Sequence, residues 1–236
     1  MKSNKIFILL LGLLPSFLLA QESVLLLSKE TDISIGVGPA YLFGAGTAAT
    51  SNNDFSVSDI GWAVNTVYLH YLASGIAYNT SLLFMFVSGN EVKSRLNYRG
   101  YAFKSYIGDV SLQFNFQPIL YFSGNVNFID PYLIIGTGIV GAYVPWWQFS
   151  DPLRPDATDK LRHRTVGYEI IGGFGVKLLM TSQINVCFEC AYHGCSSDYL
   201  DGYHPIDAKH NDVYVVSVIK IAFLLRQNTR GVKLYD

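Results

Sequence analysis

The chain has 236 residues, half of them hydrophobic and only 15% charged, with a formal net charge of −1. That charged share lies well below the roughly 25% of an ordinary soluble chain. The near-neutral balance, with no local Lys/Arg cluster, excludes a nucleic-acid binder held by phosphate contacts.

The first element is an export signal. Lys2 and Lys5 form a basic start, residues 6–14 an apolar run, and Pro15 breaks it ahead of a cleavage expected after Ala20. No cysteine sits near that point, so lipoprotein processing is not expected. After residue 20 no apolar run approaches the roughly 20 residues that a spanning helix needs. If the exported chain, residues 21–236, meets a membrane, it does so as strands.

Strand-like alternation begins at Thr31, with Ile33, Ile35, Val37 and Tyr41 opposite Ser34, Gly36, Gly38 and Ala40. A second run from Ile60 to about Tyr71 places Trp62, Val64 and Tyr68 on one side. A third, from Ile76 to Phe86, sets Tyr78, Leu82, Phe84 and Phe86 against Asn79 and Ser81. The fourth, DVSLQFNFQP from Asp109, is the cleanest: Val110, Leu112, Phe114 and Phe116 point one way, Asp109, Ser111, Gln113, Asn115 and Gln117 the other. The fifth, Pro131 to Tyr143, has less distinct faces. The sixth, Thr165 to Leu179, opposes Tyr168, Ile170, Phe174, Val176 and Leu178 to Glu169, Gly173, Gly175 and Lys177. The seventh, Ile184 to about His193, opposes Val186, Phe188 and Tyr192 to Glu189 and His193. The last, Asp212 to Leu225, opposes Val213, Val215, Ile219, Ile221 and Phe223 to Asp212, Tyr214 and Lys220. No segment after the signal shows a helical period.

The eight strands make an even count, as single-chain bacterial barrels have. Connections after the odd strands are long (44–58, 88–104, 144–164, 194–211), and those at 73–75 and 181–183 are short. Long outer loops and short periplasmic turns are the outer-membrane pattern, with both chain ends in the periplasm. The connection 119–130 alone departs from it. A soluble barrel would carry Lys and Glu on the outward polar face of its strands. Here those faces carry Gly, Ser, Asn and Gln, and the few strand charges, Asp109, Glu169, Lys177, Glu189 and Lys220, share one parity. Facing inward they can pair as a lumen charge cluster, whereas a Lys facing lipid costs up to about 2–4 kcal/mol near the midplane. The expected fold is an all-β, eight-stranded antiparallel transmembrane outer-membrane barrel over residues 21–225. The interior of such a barrel is just wide enough for side chains to fill, so function is expected at the rims, loops or termini and not in a diffusion channel.

Several motifs carry alternative chemistry. GTGIVG at 136–141 has the letters of a dinucleotide fingerprint but is followed by Pro145 and a loop, not by the helix that would hold a pyrophosphate. Its glycines fit the closing of a crowded barrel, and no cofactor is expected. Cys187, Cys190 and Cys195, with His193 nearby, suggest zinc, yet Cys187 and Cys190 fall on opposite faces of a strand, and no metal site is expected. An odd number of cysteines in an exported chain leaves at least one thiol free or paired with another chain. His193, Ser196 and Asp198 permit an enzyme acting on lipid A, but their spacing sets no nucleophile–base order, and no catalytic residues are assigned. Trp146 and Trp147 suit an aromatic girdle. A polar tail, residues 226–236 with Arg226, Arg230, Lys233 and Asp236, is either a frayed end or a periplasmic handle for a partner.

The order of SGN at 88–90, the Arg95…Arg99…Phe103 loop running into IGDVSLQFNF, DPYLIIGTGI, GGFGVKLL, and SSDYLDGYHP followed by NDVYVVSVIKIAF resembles one family. These segments are similar to the PorG-like outer-membrane β-barrels of Bacteroidota, associated with type IX protein secretion. The match runs from about Ile33 to Phe223, and residues 197–201 with 211–214 are its most distinctive part. At Val213 the family tends to have an aromatic. The resemblance implies a barrel set in outer-membrane lipid that anchors the periplasmic ring, made of a lipoprotein and its partner, and that is not the translocation pore. It implies no catalytic residues and no cofactor. The alternative left by the residues alone is a generic small barrel with a surface-binding or envelope-stabilising role, or the lipid A enzyme.

Overall fold

The structure, a computed structural model, describes residues 30–43, 60–90, 101–123, 128–148, 162–181, 183–204 and 211–226. The expected signal at 1–20 and the tail residues Arg230, Lys233 and Asp236 lie outside the described residues.

Eight strands follow one another around a closed antiparallel barrel. They are β1 (Glu30–Phe43), β2 (Ile60–Ala73), β3 (Ile76–Asn90), β4 (Ala102–Phe116), β5 (Ile129–Gln148), β6 (Arg164–Leu179), β7 (Ile184–Cys195) and β8 (Val213–Arg226). The cylinder closes between β1 and β8, in the register Ile33↔Phe223 and Val37↔Ile219, so every strand has two partners and the sheet has no open edge. The shortest strand has 12 residues and the longest 20, more than the roughly 9–11 tilted residues that cross a hydrocarbon core.

The parity read from the sequence is the one observed. Leu112 and Phe114 are each 49% exposed on the outer wall, while Gln113 and Asn115 are buried inside. A one-residue slip would reverse the two sets. The faces of β5 also separate, Leu133, Ile135 and Ile139 outward and Tyr132, Ile134 and Val140 inward. Gly136 and Gly138 of the false fingerprint face Leu112, Gln113 and Ser111 of β4, and a Cβ on either would come within 2.7 Å of a β4 side chain. They are glycine because two strands press together there.

Four expectations are corrected. The strands run further than the alternation did: β3 reaches Asn90, β5 reaches Gln148, and β8 includes Arg226, placed in the tail by the sequence but paired here with Glu30. The irregular connection at 119–130 contains a short helix, α1 (Pro118–Ser123), whose six residues cannot display a helical period. Pro118 suits its first position, where a missing N–H costs nothing. Tyr41 has the outward parity of β1 but is buried. Finally, the lumen is not hydrophilic throughout. Towards the long-loop end, Leu42, Leu83, Met85, Val87, Ile107, Val140, Val144, Val216 and Val218 form an apolar core. In β3 both faces are apolar from Leu82 to Val87, so alternation could not reveal that core.

Candidate functional site

The outer wall is a continuous apolar surface bounded by aromatic rows. Near the long loops, Trp62, Phe86, Tyr106 and Tyr143 are cross-strand neighbours, with the Phe86 and Tyr106 rings 5.2 Å apart and Arg164 5.5 Å from the Tyr143 ring. Near the short turns, the His70 ring lies tilted 5.4 Å from that of Tyr78, which neighbours Phe114. Trp146 is exposed at the upper rim beneath Lys104, whereas its neighbour Trp147 turns onto the inner core and packs on His163.

Inside, Asp109, Glu169, Lys177, Glu189 and Lys220 all point into the lumen, as their shared parity predicts, but they do not form one cluster. Towards the short turns, Lys177 Nζ lies 3.3 Å from Asp32 Oδ2 on the far side of the barrel and also donates to the Tyr71 hydroxyl. Lys220 Nζ donates to Glu189 Oε1 at 2.6 Å, and the Tyr132 hydroxyl donates to Glu189 Oε2 at 3.0 Å. Asn79 donates to Asn115 at 2.8 Å, and Gln117 to Tyr71 at 3.3 Å. The void among these groups is about 30 Å³, room for a water or two and no larger solute.

Asp109 and Glu169 stand apart, halfway up the lumen and without a lysine. Between them is the Tyr214 hydroxyl, 2.7 Å from Asp109 Oδ2 and 2.6 Å from Glu169 Oε2. His193, stacked on the Tyr214 ring at 4.2 Å, places Nδ1 3.2 Å from Glu169 Oε2. The sequence put His193 on the same face as Glu189 but gave no sign of its approach to Glu169, which depends on the β6–β7 register, Ile171↔His193.

Segment 196–204 folds back over the long-loop mouth. Leu200, Asp201 and Tyr203 are buried there. The Ser105 hydroxyl donates to Leu200 O at 2.6 Å, the Tyr101 hydroxyl to Asp201 O at 2.8 Å, and Arg162 N to Gly202 O at 2.8 Å. Gly202 adopts a φ of 90°, a left-handed turn open to glycine. Asp212 Oδ2 accepts the Leu200 N–H at 2.6 Å, and His204 Nδ1 lies 2.6 Å from Asp198 Oδ2. Burial, reinforced by the neighbouring Asp201 and Asp198 charges, pushes the Asp212 carboxyl well above the ordinary aspartate range, and burial likewise raises Asp198.

The other end is capped by α1. Leu120 is buried beneath it, the Ser74 hydroxyl donates to Leu120 O at 3.0 Å, and Gln117 N donates to Gly75 O at 2.7 Å. Its far face is apolar and exposed: Phe122 is 81% and Ile119 39% accessible, with Phe128 and Ile129 nearby in sequence also exposed.

The paper triad does not assemble. His193 faces Glu169 inside the barrel, Ser196 Oγ accepts the Tyr168 N–H, and Asp198 holds His204. The cysteines are all unbridged; Cys187 and Cys195 are buried in the lumen, while Cys190 is on the outer wall beside Ser217, 3.4 Å away. An intermolecular bridge from either buried thiol would require opening the barrel.

A closed eight-stranded antiparallel cylinder with an apolar outer wall, an aromatic row near each rim and paired charges inside is a small outer-membrane β-barrel. No protein-family model matches the chain, and no curated protein does. Among solved structures it is similar to Ail of Yersinia pestis bound to sucrose octasulfate, at 14% identity over 83% of this chain and 97% of that one, TM-score 0.45. It is also similar to Neisserial surface protein A (11% identity, 82% and 96% covered, TM-score 0.46) and to a major outer membrane protein of Thermus thermophilus (10% identity, 83% and 99% covered, TM-score 0.47). The architecture itself rests on this chain's own strand pairing.

Proposed function

We propose that this chain is a non-enzymatic membrane anchor that acts through its ends and not through its lumen. The salt-bridged interior and the two end caps support this reading, because the gap among the described inner groups, about 30 Å³, passes no solute larger than water. The observation that carries it is the exposed apolar face of α1, with Phe122 and Ile119, on the short-turn side. In an outer-membrane barrel that side meets the periplasm. A small barrel with a docking role is the general form of the proposal. Its particular form, drawn from the family resemblance, makes the docked partner the periplasmic ring of a type IX secretion system, that is, a ring lipoprotein and its partner.

The test is photo-crosslinking from position 122 in intact cells, paired with Phe122→Asp. Capture of a periplasmic ring protein, and loss of that protein from the detergent-extracted complex in the variant, supports the particular form. Capture of a different periplasmic protein supports the general form alone. If Phe122→Asp leaves every periplasmic contact in place while deletion of 149–161 abolishes function, the chain instead acts at its outer surface, as the surface-binding alternative holds.

A further inference from the structure

The Tyr214 hydroxyl stands between two carboxylates with a single hydrogen to give. A phenol carries one hydrogen, yet the Tyr214 oxygen lies within hydrogen-bond distance of an oxygen from each of two carboxylates. It can donate to only one of them. The outer oxygens, Asp109 Oδ1 and Glu169 Oε1, are buried and accept no hydrogen bond. Asp109 is 2% exposed and Glu169 not exposed at all. The charge count of the whole lumen leans the same way. Among the described residues of the barrel wall the inward acids are Asp32, Asp109, Asp130, Glu169 and Glu189, and the inward bases are Lys177 and Lys220, engaged with Asp32 and Glu189, and His193, beside Glu169. Two buried carboxylates thus stand together with at most one positive charge, that of a protonated His193, and such acids are disfavoured without a compensating cation.

We propose that Asp109, Glu169 and His193 bind a divalent transition-metal ion inside the barrel. One ligand atom from each already lies within 4.8 Å of the others. The separation of His193 Nδ1 from Glu169 Oε2, 3.2 Å, is close to the edge of a tetrahedron built on metal–ligand bonds of about 2.0–2.1 Å, roughly 3.3 Å. Binding therefore draws the widest pair together by up to about 1.5 Å on that geometry. Gly138 admits the Glu169 carboxylate to this position, since a Cβ there would lie 2.8 Å from Glu169 Oε1. One imidazole nitrogen and two carboxylates suit Zn²⁺ or Mn²⁺; Ca²⁺ would want six to eight oxygens. Tyr214, hydrogen bonded to a carboxylate and stacked on His193, is a positioning residue. The site joins β4, β6 and β7 across the lumen, so the ion acts as a structural clasp that enters as the barrel closes.

Loading must therefore accompany folding. The mature chain is refolded from urea into detergent with Zn²⁺ or with EDTA, freed of loose ion, and its zinc measured by mass spectrometry beside D109N, E169Q and H193Q. Heat-dependent electrophoretic mobility identifies the folded fraction of each. The site predicts about one Zn²⁺ per folded barrel, retained through dialysis against EDTA, and a drop of at least about tenfold in any variant that folds. Zinc should also raise the unfolding midpoint of the wild type and leave that of H193Q unmoved. Folded wild type with no retained zinc overturns the proposal and leaves the two acids sharing a proton. Equal zinc in wild type and H193Q overturns it as adventitious binding.

Discussion

Lys177 is the most connected charge in the lumen, and its replacement by methionine isolates what the salt network contributes. Methionine keeps the length and apolar stem of lysine. It removes the ammonium that meets Asp32 Oδ2 at 3.3 Å and donates to the Tyr71 hydroxyl. Asp32 is 3% exposed, with its second oxygen already unpartnered, and Asp130 stands opposite Lys177 in the β5–β6 register. Breaking a buried pair by removing one partner costs about 3–5 kcal/mol, because the other charge stays buried and alone. Replacing both partners by apolar groups of similar volume is often close to neutral. The variant Lys177→Met should thus lose about 3–5 kcal/mol, and Asp32→Leu combined with Lys177→Met should regain about 2–3 kcal/mol of that. Recovery stays partial because Asp130 remains. The assay is equilibrium urea unfolding in thin-bilayer liposomes, followed by tryptophan fluorescence and by heat-dependent mobility. A loss below about 1 kcal/mol in the single variant, or a double variant no better than the sum of its parts, would refute a buried, load-sharing pair.

The outer wall makes a second prediction: Val110→Arg, midway between the two aromatic rows on β4, should cost about 2–4 kcal/mol in the same liposomes, while Tyr106→Arg in the upper aromatic row costs about 0–1 kcal/mol. Equal costs would mean that the wall does not face lipid. Glycine replacement gives a third: Gly138→Ala, whose Cβ would meet Ser111 Cβ at 2.7 Å, should lower stability by about 1–3 kcal/mol. Gly172→Ala, which meets nothing within 4 Å, should be neutral or slightly stabilising. The fourth concerns the mouth. The Asp212 carboxyl is raised in the folded protein, so the docked plug is favoured fully below the ordinary aspartate value of 3.8 and loses that contribution as pH climbs through the raised value. Amide exchange at Leu200, Gly202 and Tyr203 should accelerate over that rise beyond its intrinsic pH dependence. Asp212→Asn, which keeps an acceptor for the Leu200 N–H, should flatten the excess.

How much of this was legible in the chain follows from the range of each interaction. Parity is local: Val110 through Gln117 needed only their own alternation to assign wall and lumen, and the same reading put all five strand charges inside. Partnership across the lumen is not local. Lys177 meets Asp32, 145 residues away, through the closure of β1 on β8, although Asp32 shares the inward parity of Ser34. Parity therefore grouped five charges that the barrel's stagger divides into a salt-bridged set below and an acidic pair above. His193 shows the same limit from the other side: the sequence offered it to Ser196 and Asp198, its neighbours in the chain, while the β6–β7 register gave it to Glu169. The plug was visible only as the motif SSDYLDGYHP, because the hydrogen bonds that seat it come from Tyr101 and Ser105, about a hundred residues earlier. The most distinctive segment of the resemblance, residues 197–201 with 211–214, therefore lies at this mouth. The docking proposed for this chain depends on the opposite end, where α1 turns Phe122 outward. A chain that kept the plug motif but lost the apolar face of α1 would therefore share this mouth without sharing the proposed partner.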